Sequence, residues 1–178
     1  DLNHDGVIDS NDQAPIGYNP VPEMTFSLAA GLNWKGIDFS ILLQGAARSS
    51  IYLQQDIAWD NFWGNYYEEH IGRWTPETAA TATYPRFTKA ATAAHPNYYK
   101  SDYWLKDSKY LRLKNIQLGY TIPRKLLKKF GVRSLRVYAN AYNLFTWDNV
   151  KKVDPESSNN SNGQFYPQQK VINFGINL

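Results

Sequence analysis

Five segments of the sequence alternate apolar and polar residues, and this pattern constrains the fold more than any other feature. In MTFSLAAGLNW the apolar side chains fall on every second residue, at Phe26, Leu28, Ala30, Leu32 and Trp34. Successive side chains of a strand point to opposite faces, so the alternation predicts strands with one apolar face and one polar face. The predicted strands span about 24–34, 37–45, 109–122, 134–146 and 169–178.

The links between these strands alternate between short and long. Lys35-Gly36 is a tight turn, and the connection 123–133 is also short and begins at Pro123, which cannot donate to a strand ladder. The links 46–108 and 147–168 are long and polar. Short turns at one end and long loops at the other are typical of a transmembrane β-barrel, in which the polar face lines a wet lumen. The pattern therefore predicts an all-β, antiparallel barrel wall.

A soluble antiparallel sheet with one solvated face, such as a β-sandwich, predicts the same alternation and stays open as the alternative. It accounts less well for the segregation of short and long links to opposite ends. On the barrel interpretation the chain is incomplete, because the smallest barrels have about eight strands and an open sheet edge in lipid leaves backbone groups unsatisfied. We expect the chain to be a piece of a longer protein whose other strands lie upstream.

The amino-acid composition argues against several classes of structure and function. The 178 residues contain no Cys, which excludes a disulfide framework and a thiolate metal site. The formal net charge is only +3, and its excess is concentrated in one cluster without interleaved aromatics, so nucleic-acid binding is not predicted. The cluster consists of Arg124, Lys125, Lys128, Lys129 and Arg133. The sequence has no apolar run of the length that a transmembrane helix requires.

The opening segment DLNHDGVIDSND has the spacing of a calcium-binding loop. Oxygen ligands are expected at loop positions one, three, five, seven, nine and twelve, with the seventh supplied by a backbone carbonyl. These positions are Asp1, Asn3, Asp5, Val7, Asp9 and Asp12. Gly6 allows the sharp turn, while Asp12 replaces the usual Glu and is one methylene shorter. The alternative is a solvated acidic turn that binds no ion.

A calcium sensor needs helices on both sides of its loop. Pro15, Pro20 and Pro22 follow the loop closely and make a second helix improbable, so the expected role of calcium is structural.

Aromatic residues in the first long link are candidate substrate contacts, because aromatic faces stack on sugar rings. The candidates are Trp59, Trp63, Tyr66, Tyr67 and Trp74. The alternative for each is packing within the loop or a position at the bilayer interface, where Trp and Tyr are enriched.

No enzymatic activity is predicted. His4, His70 and His95 are far apart in sequence, and adjacent Glu68 and Glu69 would point to opposite faces of a strand.

Several stretches, taken in order, resemble one family. They are the opening loop followed by APIG, LLQGAAR, RWTPE followed by YPR, YLRLKNIQLGYTIP, NLFTW and VDPE. This ordered set is similar to the C-terminal end of the SusC/RagA family of TonB-dependent outer-membrane transporters of Bacteroidetes. The resemblance covers essentially the whole chain. It implies an all-β fold, namely the C-terminal strands (24–178) of a large antiparallel transmembrane β-barrel, preceded by a calcium-loop-like segment (1–23).

The resemblance also implies a function and partners. Such transporters are multi-pass barrels of the outer membrane, are energised through the TonB complex, and import oligosaccharides or oligopeptides together with a SusD-like surface lipoprotein. The family topology places the short turns in the periplasm and the long loops outside the cell. Because such barrels usually end in an aromatic residue and this chain stops at Leu178, we expect a residue or two to follow. The alternative function is a soluble, secreted, calcium-stabilised carbohydrate-binding β-sandwich module.

Overall fold

One five-stranded antiparallel sheet dominates the computed structural model, which describes residues 1–55, 58–60, 66–89, 95–150, 153–157, 166 and 168–178. The strands are β1 (Met24–Trp34), β2 (Ile37–Ala47), β3 (Ser50–Tyr52), β4 (Leu105–Asp107), β5 (Tyr110–Thr121), β6 (Arg136–Asp148) and β7 (Val171–Asn177). The large sheet has the order β1-β2-β5-β6-β7, and β3 pairs separately with β4. Helix α1 (Arg124–Leu127) runs into a 3-10 turn, Lys128–Phe130. Further 3-10 turns cover Ser10–Asp12, Glu68–Gly72 and Pro96–Tyr98.

Within the described ranges, the helices are all too short or too polar to cross a membrane.

The two short links form as the sequence predicts. Lys35 and Gly36 join β1 to β2 with φ angles of 48° and 89°, and positive φ at both central residues is what a tight hairpin turn with the strands' right-handed twist requires. Between β5 and β6, the strand ladder stops before Pro123, α1 follows, and Gly131 closes the connection with a φ of 68°. We call this edge of the sheet the short-turn end and the opposite edge the long-loop end.

The apolar residues line up in rows across one face of the sheet. Leu32, Phe39, Leu118, Ala139 and Phe174 form one row, each paired with the next across a strand ladder. This face is open, since 56% of Leu118 and 82% of Phe174 are exposed. A second sheet packed on this face, as in a β-sandwich, would bury these side chains. The exposed apolar face therefore contradicts the sandwich alternative.

Exposed aromatic side chains flank the apolar face at both ends. Trp34 and Tyr120 lie at the short-turn end, and Phe26, Phe145 and Trp147 lie at the long-loop end. The eight-residue step from Phe26 to Trp34 is about 27 Å along a strand. At a strand tilt of about 40° this corresponds to about 20 Å of height, close to the apolar band of about 25 Å in outer-membrane barrels.

The opposite face of the sheet carries polar side chains that contact one another. Asp38 and Arg136 form an ion pair, in which Arg136 Nε donates to Asp38 Oδ1 at 2.8 Å. Gly119 provides the space for this pair, because a Cβ there would collide with both side chains. Asn173 donates to Asn140 at 3.0 Å farther along the same face. Polar pairs of this kind suit a lumen and not a lipid surface.

The pairing register is irregular near the middle of β5 and β6. The register steps from Leu113 to Asn115 on β5 while it steps from Phe145 to Tyr142 on β6. Asn143, with a φ of 51°, is the extra residue on β6 in the left-handed conformation. On β5, Lys114 is an extra residue relative to β2, because the neighbouring residues Leu42 and Leu43 pair with Asn115 and Leu113. This extra residue brings Leu113 onto the same face of the sheet as Ile116.

The chain divides into two compact units. The loop unit comprises Asp1–Val21, Ser49–Asp107 and Glu156–Phe165, and the sheet unit comprises Pro22–Arg48, Ser108–Pro155 and Tyr166–Leu178. The opening segment belongs to the loop unit because it hydrogen-bonds to β3. Tyr18 N donates to Ser50 Oγ at 2.9 Å, and Ser50 N donates to the Asn19 carbonyl at 3.3 Å.

Candidate functional site

The loop unit is built around aromatic rings that pack edge to face or tilted. The His70 ring lies 4.5 Å from that of Tyr84, and the Tyr103 ring lies 4.6 Å from that of Trp104. Tyr84, Trp104 and His70 are buried. Buried aromatics of this size supply most of the apolar area that a small unit can remove from water, so the Trp- and Tyr-rich composition of the long link builds a core.

A buried carboxylate lies at the centre of these rings. Asp60 accepts hydrogen bonds from the Tyr98 hydroxyl and from Thr88 N at 3.3 Å, and the Tyr84 hydroxyl lies 3.4 Å from the same carboxylate. Burial, followed by the negative charge of Asp60, raises the pKa of the Tyr84 hydroxyl well above its usual range. Burial and the hydrogen bond to Asp60 raise the pKa of Tyr98 in the same direction. Both phenols therefore stay neutral and act as donors: the Tyr98 hydroxyl donates to Asp60, and the Tyr84 hydroxyl donates chiefly to the nearer Ala58 carbonyl at 2.9 Å.

His70 is held as a structural residue. Its Nδ1 accepts from the backbone N–H of Tyr67 at 3.0 Å, so Nε2 carries the proton and donates to the Ala58 carbonyl at 3.2 Å. Both ring nitrogens are thus engaged with backbone groups. These two hydrogen bonds fix the orientation of the His70 ring within the core of the loop unit.

The candidate substrate residues fall into different environments. Only 3% of Trp59 is exposed, and its ring stacks at 4.7 Å on that of Tyr98, so it packs the core of the loop unit and presents no free face for a sugar. By contrast, Tyr66 is 58% exposed, and Tyr67 and Trp74 are also partly exposed. Trp63 lies outside the described residues.

The RWTPE and YPR motifs support this exposed group. Trp74 N donates to the Tyr84 carbonyl at 2.9 Å, which ties the two motifs together. Thr75 and Thr78 cap the following turn reciprocally, with Thr75 N donating to Thr78 Oγ1 at 2.9 Å and Thr78 N donating to Thr75 Oγ1 at 3.2 Å. The motifs thus fix the backbone that presents the Trp74 ring.

The opening segment folds as a closed loop. Asp12 accepts from Leu2 N at 2.6 Å and from Asn3 N at 3.3 Å, which joins its two ends. At the other side of the loop, Asp1 accepts from Asp5 N at 3.2 Å and from Gly6 N at 2.9 Å, and the φ of Gly6 is 84°. The sharp turn at the sixth position that the sequence predicts is therefore present.

The loop presents oxygen atoms of the type that binds calcium. They are the hard carboxylate and amide oxygens that calcium prefers. Asp1, Asp5, Asp9 and Asp12 each accept loop N–H groups, and across the described residues no three His, Cys, Asp or Glu side chains converge as a metal site. The chemistry and the turn fit calcium, whereas the carboxylates point to the backbone.

Hydrogen bonds set the protonation of the loop closure. The backbone N–H of Asp9, followed by those of Leu2 and Asn3, lowers the pKa of the Asp12 carboxyl below its usual value. A lowered folded-state pKa means that the closure is fully stabilised above the unfolded-state pKa. This stabilisation is lost as the pH falls through the folded-state pKa.

Sequence reasoning missed two groups that the structure brings together. One is Asp60 with its phenols, and the other is the ion pair between Arg112 and Asp154, in which Arg112 Nη2 donates to both carboxylate oxygens at 2.8 Å. Asp154 belongs to the VDPE motif, so the motif was visible in the sequence although its partner was not. Both groups depend on contacts between residues far apart in the chain.

Comparisons with known proteins connect this geometry to a family. No protein-family model matches the chain. The TonB-dependent receptor P26 of Formosa agariphila is 30% identical over 195 residues, covering 100% of this chain and 19% of that receptor. The TonB-dependent receptor SusC of Bacteroides thetaiotaomicron is 27% identical over 180 residues, covering 100% of this chain and 17% of that receptor. The chain thus spans about a fifth of the length of these curated relatives.

Solved structures share the fold. A chain of the RagAB peptide importer in its open-open state matches with a TM-score of 0.66 at 22% identity, over 96% of this chain and 18% of that chain. A chain of the same importer in its closed-closed state matches with a TM-score of 0.64 at 22% identity, over 97% of this chain and 20% of that chain. The likeness confirms the predicted fold class, an antiparallel partial β-barrel with long loops. The chain is thus similar along its entire length to TonB-dependent receptors, SusC among them, and shares its fold with a chain of the RagAB peptide importer, as the motif resemblance to the SusC/RagA family implies.

Proposed function

We propose that the protein containing this chain is a TonB-dependent outer-membrane importer of oligosaccharides or oligopeptides that acts with a SusD-like surface lipoprotein. In this proposal the chain supplies barrel wall and outer loops and carries out no reaction. The observation that supports it best is the open apolar face of the sheet, flanked by aromatic residues at both ends and backed by a polar face. That arrangement separates lipid from an aqueous lumen.

The similar proteins support an import function. They are named TonB-dependent receptors, and the structural neighbours belong to a peptide importer. Peptides and glycans are both polar, so a lumen lined with polar pairs such as Asp38–Arg136 suits either class.

Gene deletion combined with defined nutrients tests the function. A strain lacking the whole gene is expected to lose growth on one class, either oligosaccharides or oligopeptides, and to keep growth on the corresponding monomers. The complete protein is expected in the outer-membrane fraction and to co-purify with a lipoprotein encoded beside it. Unchanged growth on every oligomer, with the protein present in wild-type cells, would contradict an import function.

We further propose that the exposed aromatic residues Tyr66, Tyr67 and Trp74 contact substrate. Trp74→Ala in the whole protein is expected to weaken substrate binding by about 2- to 10-fold, because an aromatic contact contributes about 0.5–1.5 kcal/mol. Calorimetry with the substrate found by the growth assay measures this change. Tyr18→Ala, another exposed aromatic of the loop unit, is the control and should bind normally. Equal affinity in both variants would remove Trp74 from the binding surface.

We also propose that the opening loop binds one structural calcium ion through Asp1, Asn3, Asp5, Val7, Asp9 and Asp12. The hard oxygen ligands and the turn at Gly6 support this proposal. Terbium luminescence of the whole protein should rise on titration and be reversed by calcium. Asp5→Asn is expected to reduce the signal by at least half, whereas Asp102→Asn, an exposed acid elsewhere in the loop unit, should leave it intact. No terbium uptake by the unaltered protein would exclude the site.

A further inference from the structure

The connection between β5 and β6 combines positive charge with exposed apolar side chains. We call residues 124–133 the basic turn. Its cations are Arg124, Lys125, Lys128, Lys129 and Arg133. Leu126 and Phe130 lie four residues apart in the turn and are 64% and 78% exposed, whereas Leu127 is buried and anchors α1. Exposed leucine and phenylalanine beside five cations are the combination of side chains that segments at a membrane interface carry.

The positive charge of the basic turn is uncompensated. No Asp or Glu occurs between residues 108 and 147 of the sequence. Among the residues that the structure describes, the ion pairs of the sheet unit involve Arg48, Arg112 and Arg136, and none involves a cation of the basic turn. At the same end, Lys35 Nζ lies 4.8 Å from the centre of the Trp34 ring and adds a further cation.

The position of the basic turn relative to the apolar face identifies the kind of partner. The last paired residues of β5 and β6 are Thr121 and Arg136, and one more hydrogen bond, from Ile122 N to the Leu135 carbonyl at 2.8 Å, extends the hairpin. Tyr120, on the aromatic row of the short-turn end, lies two residues before Ile122, about 7 Å along the strand. An aromatic row of this type sits at the headgroup level of a bilayer. Arg124, the first cation, lies four residues after Tyr120, which is at most about 14 Å along the chain and about 10 Å of height at a strand tilt of about 40°. The cations thus begin at about one Debye length, about 8 Å, from the headgroup level.

We propose that the basic turn binds anionic phospholipid headgroups of the leaflet at the short-turn end and inserts Leu126 and Phe130 among the acyl chains. The inference rests on the membrane placement proposed above. Electrostatic attraction to anionic lipids and insertion of apolar side chains both contribute to membrane binding. Either contribution alone binds a segment weakly, whereas the two together hold it at the interface. The turn would then fix the height of the β5–β6 hairpin in the bilayer.

Lipid retention by the whole protein tests the charge contribution. The protein is reconstituted in a mixture of phosphatidylglycerol, phosphatidylcholine and lipid A, extracted in mild detergent, and examined by native mass spectrometry. The variant Lys125→Gln/Lys128→Gln/Lys129→Gln is expected to lower the ratio of retained phosphatidylglycerol to phosphatidylcholine at least tenfold, since each cation near an anionic surface changes partitioning by about fivefold.

A matched variant removes the same charge elsewhere. Lys89→Gln/Lys100→Gln/Lys109→Gln alters three exposed lysines distant in sequence from the basic turn, and its lipid ratio should stay within about twofold of the unaltered protein. Equal ratios in the two triple variants would overturn the proposal, as would a preference for lipid A over phosphatidylglycerol.

Photo-crosslinking tests the apolar contribution in cells without removing any charge. With Phe130 replaced by benzoylphenylalanine, the expected product is a phospholipid adduct. A protein adduct in its place would show that the partner is a protein and would overturn the proposal.

Membrane fractionation distinguishes failure of the proposed function from failure of the lipid-binding turn. Absence of the protein from the outer membrane refutes the proposed function, whereas its presence there with an unchanged lipid ratio refutes only the lipid-binding turn.

Discussion

The ion pair between Arg112 and Asp154 is deeply buried, with 1% and 13% of the respective side chains exposed. Arg112 lies on the polar face of β5, and its Nε also donates to Thr146 on β6 at 2.9 Å. The guanidinium thus holds the VDPE motif against the sheet through two parallel hydrogen bonds. A bidentate pair is directional, so it fixes the position of the chain after β6 as well as contributing energy.

Breaking this pair is expected to release the segment after β6. Asp154→Ala leaves Arg112 buried without its carboxylate and should destabilise the local structure by about 3–5 kcal/mol. Hydrogen exchange of peptides covering 146–157 in the whole protein should accelerate by about a hundredfold or more. The control is Glu23→Ala, which removes the partner of Arg48 in an exposed pair at 3.8 Å and should cost about 1 kcal/mol or less. Similar exchange in both variants would show that Asp154 does not hold the segment.

At the scale of elements, register decides where the sheet tolerates a side chain. Gly119 on β5 lies opposite Asp38 on β2 and Tyr138 on β6, and the Asp38–Arg136 ion pair crosses directly over it. Gly31 on β1 lies on the same polar face, but a Cβ there would meet only the Phe39 carbonyl at 3.6 Å, an ordinary contact.

These two glycines are therefore expected to respond differently to alanine. Gly119→Ala should displace the ion pair and destabilise the hairpin by about 1–3 kcal/mol, as overpacking does. Gly31→Ala should be neutral or slightly stabilising, because alanine loses less backbone freedom on folding. Thermal unfolding of the whole protein in detergent measures both. A lower unfolding midpoint for Gly31→Ala than for Gly119→Ala would contradict the role assigned to the ion pair.

Much of the sheet was predictable from local pattern, and the loop unit was not. Strict alternation in β1 and β2 and the Lys35-Gly36 turn are short-range signals, so β1 begins and ends where the sequence indicates. The bulge at Asn143 leaves no such signal, because the left-handed conformation of one asparagine depends on its neighbouring strand. β3 is only three residues long and shows no alternation.

The environments of the candidate site residues were likewise not predictable from local sequence. Trp59 and Tyr66 look alike as aromatic residues of one polar link, yet one is buried and the other exposed. Their difference arises from Asp60, Tyr84 and Tyr98, which meet only after the chain has folded. By contrast, the spacing of acidic residues around Gly6 in the opening segment is a local signal, and it predicted the sharp turn that the loop makes there.

On the scale of the whole molecule, the sheet has one apolar face and one polar face, and neighbouring residues of a strand point to opposite faces. Ile116 and Gln117 are adjacent on β5 and point to different faces. Ile116 pairs with Ile41, which pairs with Ala30, midway between the aromatic residues Phe26 and Trp34. Its row therefore lies near the middle of the apolar band.

One charge placed on either face gives a direct test of membrane placement. Ile116→Arg should cost about 2–4 kcal/mol at the bilayer midplane and reduce the amount of protein in the outer-membrane fraction. Gln117→Arg carries the same charge into the polar face and should accumulate normally. Immunoblots of fractionated cells measure both variants of the whole protein. Equal accumulation would mean that the apolar face does not meet lipid.

The pairing of β3 with β4 closes the first long link at its base, since Ser50 lies opposite Asp107. Extending a loop whose ends are already joined costs little, about 0.6 kcal/mol for each doubling of its length. Residues between these two strands also have their own buried core around Asp60. The segment between β3 and β4 can therefore vary in length and sequence at little cost to the pairing of these two strands.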